Sequence, residues 1–236
     1  MSVCIKDQIK NLNLVIGCDV GCPYCYARGT VRRFHMIEDF SKPEFYPGKL
    51  RIIERAKPQN FMLTGMSDFS GWKQEWRDML FEKIAENPQH QFLILTKRPD
   101  LLHVETDLDN VWFGVTVTRR SDLWRIDSLR ENVRARHHHI TFEPLFDDPG
   151  VVDFNDIDWC VIGTMTGPTS RKISTKPEWV NSLTEQAHRL DIPVYWKEDL
   201  VPVMGDENMV QKLPGAMDLV LKTQRAYGTV RSRPII

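Results

Sequence analysis

Seven short runs of aliphatic, β-branched and aromatic residues recur along the chain: LNLVIG (12–17), NFMLTG (60–65), QFLILT (91–96), VWFGVTV (111–117), HITFEPL (139–145), WCVIGT (159–164) and VYWK (194–197). Runs this short and this continuously apolar suit strands buried on both faces, as in a parallel sheet covered by helices. The stretches between them are long enough for those helices. GWKQEWRDMLFEKIAENP (71–88), SDLWRIDSLRENVRAR (121–136) and KPEWVNSLTEQAHRL (176–190) are the clearest candidates. Gly71 and Ser121 stand at N-cap-like positions and Pro177 at a first-turn position, while Pro88 and Asp191–Pro193 stop the first and last helix.

This alternation predicts an α/β fold: a partial (β/α)6-7 TIM-like barrel with mostly parallel strands. A flat doubly wound sheet competes with it, and periodicity does not separate the two. In either arrangement chemistry collects at the carboxyl ends of the strands. Those ends read Gly17-Cys18, Thr64-Gly65, Thr96-Lys97-Arg98, Thr116, Glu143-Pro144, Gly163-Thr164 and Lys197. Residues 1–200 are expected to form the barrel domain. Residues 201–236, weakly periodic and interrupted by glycine and proline, are expected to form a cap or tail.

A formal charge of -1 and a pI near 6.7 exclude wholesale nonspecific binding to nucleic acid or anionic lipid, though not a local basic face. The amino-terminal stretch carries no long apolar segment after a basic start, and no run of about 18 apolar residues exists. A cytoplasmic protein without a membrane segment is expected.

Three of the five cysteines, Cys18, Cys22 and Cys25, lie within eight positions. Without a secretion signal, such clustering reads as metal or redox chemistry rather than disulfide staples. The run LNLVIG leads directly into this loop, so the thiols fall at the active rim. A C-x3-C-x2-C loop can wrap three thiolates round one face of an iron–sulfur cube; four would close it, and three leave one iron open to an outside ligand. Two other readings stay open. One is a Cys3His zinc site completed by His35, although zinc sites favour paired C-x2-C units and only one is present. The other is a set of buried or redox-active thiols. Cys160, inside DWCVIG, reads as a core residue, and Cys4 as incidental.

Cys18-x3-Cys22-x2-Cys25, with Tyr24 before the last cysteine and placed after the first strand, resembles the signature of the radical S-adenosylmethionine (radical SAM) superfamily. MSDF, QHQFLILTKRP, NVWFGVTV, ITFEPL, WCVIGTMTGP and the late YWK extend the likeness over most of residues 11–200. They resemble a phage- and mobile-element-associated radical SAM family, more distantly similar to spore photoproduct lyase. The chain departs from that family at IGTMTGP, where a WVIVGGESGP-like segment would carry an acid, and in the run His137–His139.

The resemblance implies a [4Fe-4S] cluster on Cys18, Cys22 and Cys25 whose unique iron is chelated by SAM. It also implies an electron donor of the flavodoxin or ferredoxin type. Tyr24, with the backbone of residues 24–26, would lie near adenine. Thr64, Gly65 and Met66 would occupy the turn that receives the methionine amino group, with Ser67 or Asp68 standing in for the absent acid. Thr96, Lys97 and Thr116 would contact ribose and carboxylate. Glu143 is costly to bury unpaired, so either Lys97 or Lys197 is expected to pair it, or Glu143 binds ribose or substrate. Lys197 would close the site beneath the substrate.

For the substrate, Arg28, Arg32, Arg33 and His35 follow the thiols, and Arg119, Arg120, Arg125, Arg130, Arg134 and Arg136 crowd a later helix. With Trp72, Trp76 and Trp124 for stacking, they point to a nucleic acid or nucleotide. Asp122, Asp127 and Glu131 interleave with the later group, which is also how an ordinary solvated helix face reads. A small molecule, peptide or protein substrate, with a second co-encoded protein, is the alternative enzyme reading. A non-catalytic zinc- or cluster-stabilised binding domain is the third. Adjacent histidines on one element do not converge on one ion, so His137–His139 are expected in an exposed turn.

Overall fold

The computed structural model describes residues 2–166 and 175–230. Residues 167–168, the end of IGTMTGP, and 231–236 of the carboxyl-terminal segment therefore lie outside the described residues. Seven strands form one sheet: β1 (Lys10–Asn11), β2 (Asn60–Met62), β3 (Gln91–Thr96), β4 (Val111–Thr116), β5 (His137–Phe142), β6 (Trp159–Ile162) and β7 (Val194–Trp196). They are neighbours in sequence order, and every pairing is parallel. The sheet curls into an open half-barrel with helices outside, not the flat doubly wound alternative. Among the described residues no helix is long and apolar enough to cross a membrane.

The helices that matter for the site are α1 (Tyr26–Phe34), α2 (Leu50–Arg55), α3 (Gln74–Ala85), α4 (Trp124–Asn132), α5 (Pro177–His188) and α6 (Gly215–Val230). Pro177 begins α5 as its composition requires. The other two expected starts shift inward: Lys73 and Leu123 are the N-caps, while Gly71 and Ser121 sit in 3-10 turns at Phe69–Gly71 and Arg120–Asp122. Side-chain acceptors set those turns first. Asp68 accepts from the Ser70 N–H at 3.0 Å, and Asp122 from that of Thr118 at 3.0 Å. Helix α4 ends early because Val133–Arg134 pairs with Val104–Glu105 in a small parallel ribbon.

The first expected strand also needs correction. Only Lys10–Asn11 join the sheet, opposite Phe61 and Met62. The Leu14 N–H then bonds back to the Leu12 carbonyl, the chain bends, and Val15–Ile16 pair antiparallel with Glu44–Phe45. Leu12, Leu14, Val15 and Ile16 are all buried. Their apolarity reports burial rather than continuous extended pairing.

Two-residue alternation divides the sheet faces. Phe61, Phe92, Ile94, Phe113, Val115, Ile140, Phe142, Cys160 and Ile162 pack with Leu80, Ile84, Leu129, Leu183 and Ala187 of the outer helices. Cys160 is thus a core residue, as expected. Leu93, Trp112, Trp159, Val161 and Tyr195 face the concave side, where Leu213, Met217 and Leu221 cover them. Helix α6 therefore fills the lower half of the concavity. The upper half, toward the carboxyl ends, stays polar.

The histidine run is buried strand, not an exposed turn. The His137 ring stacks on Trp112 at 4.1 Å, and His138 reaches the Val133 carbonyl on the opposite face at 3.1 Å. His139 is wholly buried and sits over Gly114, where an added Cβ would lie 2.4 Å from its ring. Neither His139 ring nitrogen has a hydrogen-bond partner among the described residues. Burial pushes its pKa down from 6.5 to about 4. The unfolded chain accepts a proton below about pH 6.5 that the folded chain refuses. Stability from this group is therefore complete above pH 6.5 and declines as the pH falls toward 4, by about 3 kcal/mol in all. In His139→Leu this component of the acid slope should vanish in urea titrations between pH 7 and 4.5; an unchanged slope would refute the assignment.

Candidate functional site

The thiol loop leaves the concave rim beside β2. The Gly17 N–H donates to the Met66 carbonyl at 3.1 Å and the Cys18 N–H to that of Phe40 at 2.6 Å. A turn joins the Cys25 N–H to the Cys22 carbonyl at 3.3 Å, and Cys25 then caps α1 by accepting from the Arg28 N–H at 3.4 Å. All three thiols are half-buried. Burial, and then the neighbouring charges of Asp68, Cys22 and Cys25, raise Cys18 to about 11. An uncompensated Cys18 thiolate is thus unfavourable here, and a bound cation would reverse that preference. Among the described residues no three His, Cys, Asp or Glu side chains stand close enough for one ion. A tetrahedral zinc would need sulfurs about 3.8 Å apart. His35, the candidate fourth ligand, ends α1 in a left-handed conformation with its side chain exposed.

Tyr24 packs edge-on against Phe146 at 5.2 Å, and the Arg119 guanidinium covers the same phenyl ring at 5.4 Å. The Tyr26 hydroxyl donates to the Gly65 carbonyl at 2.5 Å, tying the thiol loop to the end of β2. Tyr26 also lies within electrostatic reach of Glu143 and Lys197, which brings the ends of β5 and β7 near the start of α1.

Asp68 organises the rim between them. Its carboxylate accepts from the Ser70 amide and hydroxyl, from the Thr96 hydroxyl at 2.6 Å and from the Lys97 amide at 2.8 Å. Both oxygens are thereby occupied, and Ser67 takes the Trp72 indole N–H at 3.0 Å. The Thr96 hydroxyl points to Asp68 rather than into the concavity. Thr64 accepts from the Leu95 N–H at 2.8 Å. The Lys97 ammonium does reach the concave face, where it donates to the Thr116 hydroxyl at 3.3 Å.

Glu143, at the end of β5, is ion-paired with Lys197, at the end of β7. Asp199 was not legible as a partner: its carboxylate stands 3.7 Å from the same ammonium and accepts from the Thr164 N–H at 3.0 Å. The three groups meet over Gly163, where an added Cβ would lie 3.0 Å from Lys197 and 3.3 Å from each carboxylate. Burial disfavours the ammonium, but Glu143 and Asp199 outweigh it and hold Lys197 above an ordinary lysine. Burial pushes Asp199 up to about 6, with Glu143 adding to the effect and Lys197 opposing it. An acidic residue two places beyond a strand-ending lysine was the one signal available.

Of the aromatic residues considered for stacking on a substrate, Trp72 is buried, Trp76 stacks on Phe45 at 5.6 Å, and Trp124 is exposed. The later arginines are largely neutralised within the protein: Arg125 by Asp122, Arg130 by Asp127 and Asp153, Arg134 by Glu105 and Arg136 by Asp109. Cys4 donates to Glu198 at 2.8 Å and is thereby held to the end of β7.

The fold is shared with solved structures of spore photoproduct lyase. Two point mutants of that enzyme match with TM-scores of 0.51 and 0.52 at 12% and 13% identity. A double mutant, described with bound AdoMet and dinucleoside spore photoproduct, matches with a TM-score of 0.50 at 12% identity. Each alignment covers 79% of this chain and 75% of the other. No curated protein matches the sequence. A family model described as a protein of unknown function (DUF5131) matches residues 5–212, and the chain belongs to that family.

Proposed function

We propose that this DUF5131 protein is a radical SAM enzyme that modifies or repairs a nucleic acid or nucleotide. The observation that carries the reading is the placement of three thiols, with no fourth ligand beside them among the described residues, on one loop at the carboxyl rim of a parallel half-barrel. That donor set fits a [4Fe-4S] cluster with one open iron, and the raised Cys18 thiol fits a site completed by cationic metal. When bound and reduced, such a cluster supplies reductive cleavage of SAM to a 5′-deoxyadenosyl radical.

The remaining work belongs to the chain itself. Cys18, Cys22 and Cys25 hold the cluster. Tyr24 and the backbone of residues 24–26 orient adenine, and Thr64 and Gly65 line the methionine end. Lys97 and Thr116 offer a cation and a hydroxyl on the concave face for carboxylate and ribose, while Thr96 acts through Asp68 to fix the rim. Glu143 stands at the end of β5 with Lys197 beside it. Helix α6 closes the lower concavity and excludes water and stray hydrogen donors from below. In this division residues 1–200 form the catalytic core and 201–236 its closure. A flavodoxin- or ferredoxin-like protein supplies the electron. The neighbour described with a dinucleoside photoproduct supports a nucleotide-containing substrate.

The test is anaerobic release of 5′-deoxyadenosine from SAM by reconstituted protein with dithionite, with and without DNA, RNA, a dinucleotide or a peptide pool. Cleavage stimulated by nucleic acid or dinucleotide is expected. Stimulation by peptide alone would overturn the substrate assignment.

A further inference from the structure

Positive charge is distributed unevenly over this nearly neutral protein. The arginines of and beyond α4 are consumed by ion pairs with carboxylates. Helix α1, in contrast, contains no acidic residue, and Arg28, Arg32 and Arg33 are all exposed on it. None of the three makes an ion pair among the described residues. Arg28 lies 5.8 Å from the Phe40 ring and Arg33 lies 5.4 Å from that of Phe34, which is itself 65% exposed. At the ends of β5 and β7, Glu143 and Asp199 share the single ammonium of Lys197.

We infer that the exposed face of α1 that carries Arg28, Arg32 and Arg33 is the docking surface for the phosphodiester backbone of a polynucleotide substrate. This rests on the radical SAM reading and adds to it the path by which a long substrate reaches the site. Helix α1 starts at Cys25, so the three arginines lie about 4 to 12 Å along its axis from the thiol loop. Arg28 and Arg32 are four residues apart and follow one stripe. Free guanidiniums recognise phosphate by paired N–H donors. Favourable contact of Arg32 and Arg33 with the helix carboxyl terminus explains part of their placement. It does not explain Arg28, in the first turn, where a cation opposes the dipole.

The experiment compares salt-dependent binding of a fluorescent oligonucleotide by reconstituted wild type and two charge-matched variants. One carries Arg28→Gln, Arg32→Gln and Arg33→Gln. The control carries Arg134→Gln, Arg136→Gln and Arg189→Gln, which remove the same charge from exposed sites next to the amino-terminal ends of β5 and β7. Loss of three phosphate contacts should lower the slope of log K against log salt by about 2 for a single strand. Affinity at moderate salt should fall at least tenfold, with the control near wild type. Equal slopes in the two variants, or no oligonucleotide binding by wild type, would overturn the surface. A dinucleotide too short to lie along α1 separates the two ideas: if it still stimulates 5′-deoxyadenosine release while the slopes are equal, only the surface falls. If neither dinucleotide nor polynucleotide stimulates release, the functional reading falls with it.

Discussion

Cys22→Ala protein, reconstituted anaerobically, should release no 5′-deoxyadenosine and lack the broad visible absorption of an iron–sulfur cluster, while melting close to the cluster-free wild type. Cys18→Ala and Cys25→Ala should behave alike. In the proposed site each thiol would supply one corner of the same cube, and a loop with two ligands would not retain it against solvent and chelators. The thiols contribute little to the apolar core: Cys22 is half-exposed on the loop, and Cys25 packs only at the edge of the small cluster of Ile16, Ala27, Val31 and Met66. Cys160→Ala is the contrasting variant. Its sulfur is wholly buried among the outer-face residues, so about 1 kcal/mol of stability should be lost while cluster and cleavage persist. Retained cleavage in Cys22→Ala, or a lost cluster in Cys160→Ala, would mean that the ligands have been assigned to the wrong residues.

Lys197→Met should produce the largest loss of stability of any single change at the rim, roughly 3 kcal/mol in urea unfolding of cluster-free protein. Lys197 is 16% exposed, and it is the cation shared by Glu143 and by Asp199, whose side chain is 10% exposed. Removing it leaves two carboxylates facing each other over Gly163 with no counterion. Asp199, already raised, would have to take up a proton, so the loss should be larger at pH 8 than at pH 5. Below its pKa Asp199 is neutral, and the repulsion disappears. Adding Glu143→Gln and Asp199→Asn to Lys197→Met should restore most of the stability, because what destabilises is an unpaired charge rather than a lost contact. A penalty below about 0.5 kcal/mol, or one independent of pH, would show that the network is solvated and energetically idle.

The chain's layered fold was readable because strands of a parallel sheet carry an apolar signal on both faces, which short periodic windows detect. Six of the seven runs overlap a strand of the sheet, from Asn60–Met62 to Val194–Trp196. The first did not, since Leu12 to Ile16 are buried through a bend rather than along a ladder, and apolarity does not distinguish the two. The histidine run misled for the opposite reason. His139 is polar by type but is accommodated beside a glycine in the neighbouring strand, a pairing that only the β4–β5 register reveals.

Within the site, the thiol spacing and the Glu143–Lys197 pair could be anticipated, because a carboxylate at a rim requires a cation and few were available. Asp199 could not, nor could the commitment of Asp68 to Thr96 and Lys97. Both depend on loops folding back across strands about 30 residues distant or more. Side-chain acceptors that fasten one loop to another leave no periodic trace. The neutralisation of the α4 arginines, against the free arginines of α1, is likewise a property of what stands opposite them.

The central claim is that three thiols hold a cube whose fourth iron is open to SAM. Its most direct measurement is metal and sulfide content of anaerobically purified protein, together with the electron paramagnetic resonance spectrum of the reduced form with and without SAM. The expected result is one four-iron cluster per chain, with a signal that changes shape when SAM is added. Zinc in place of iron, or a cluster whose signal ignores SAM, would contradict it.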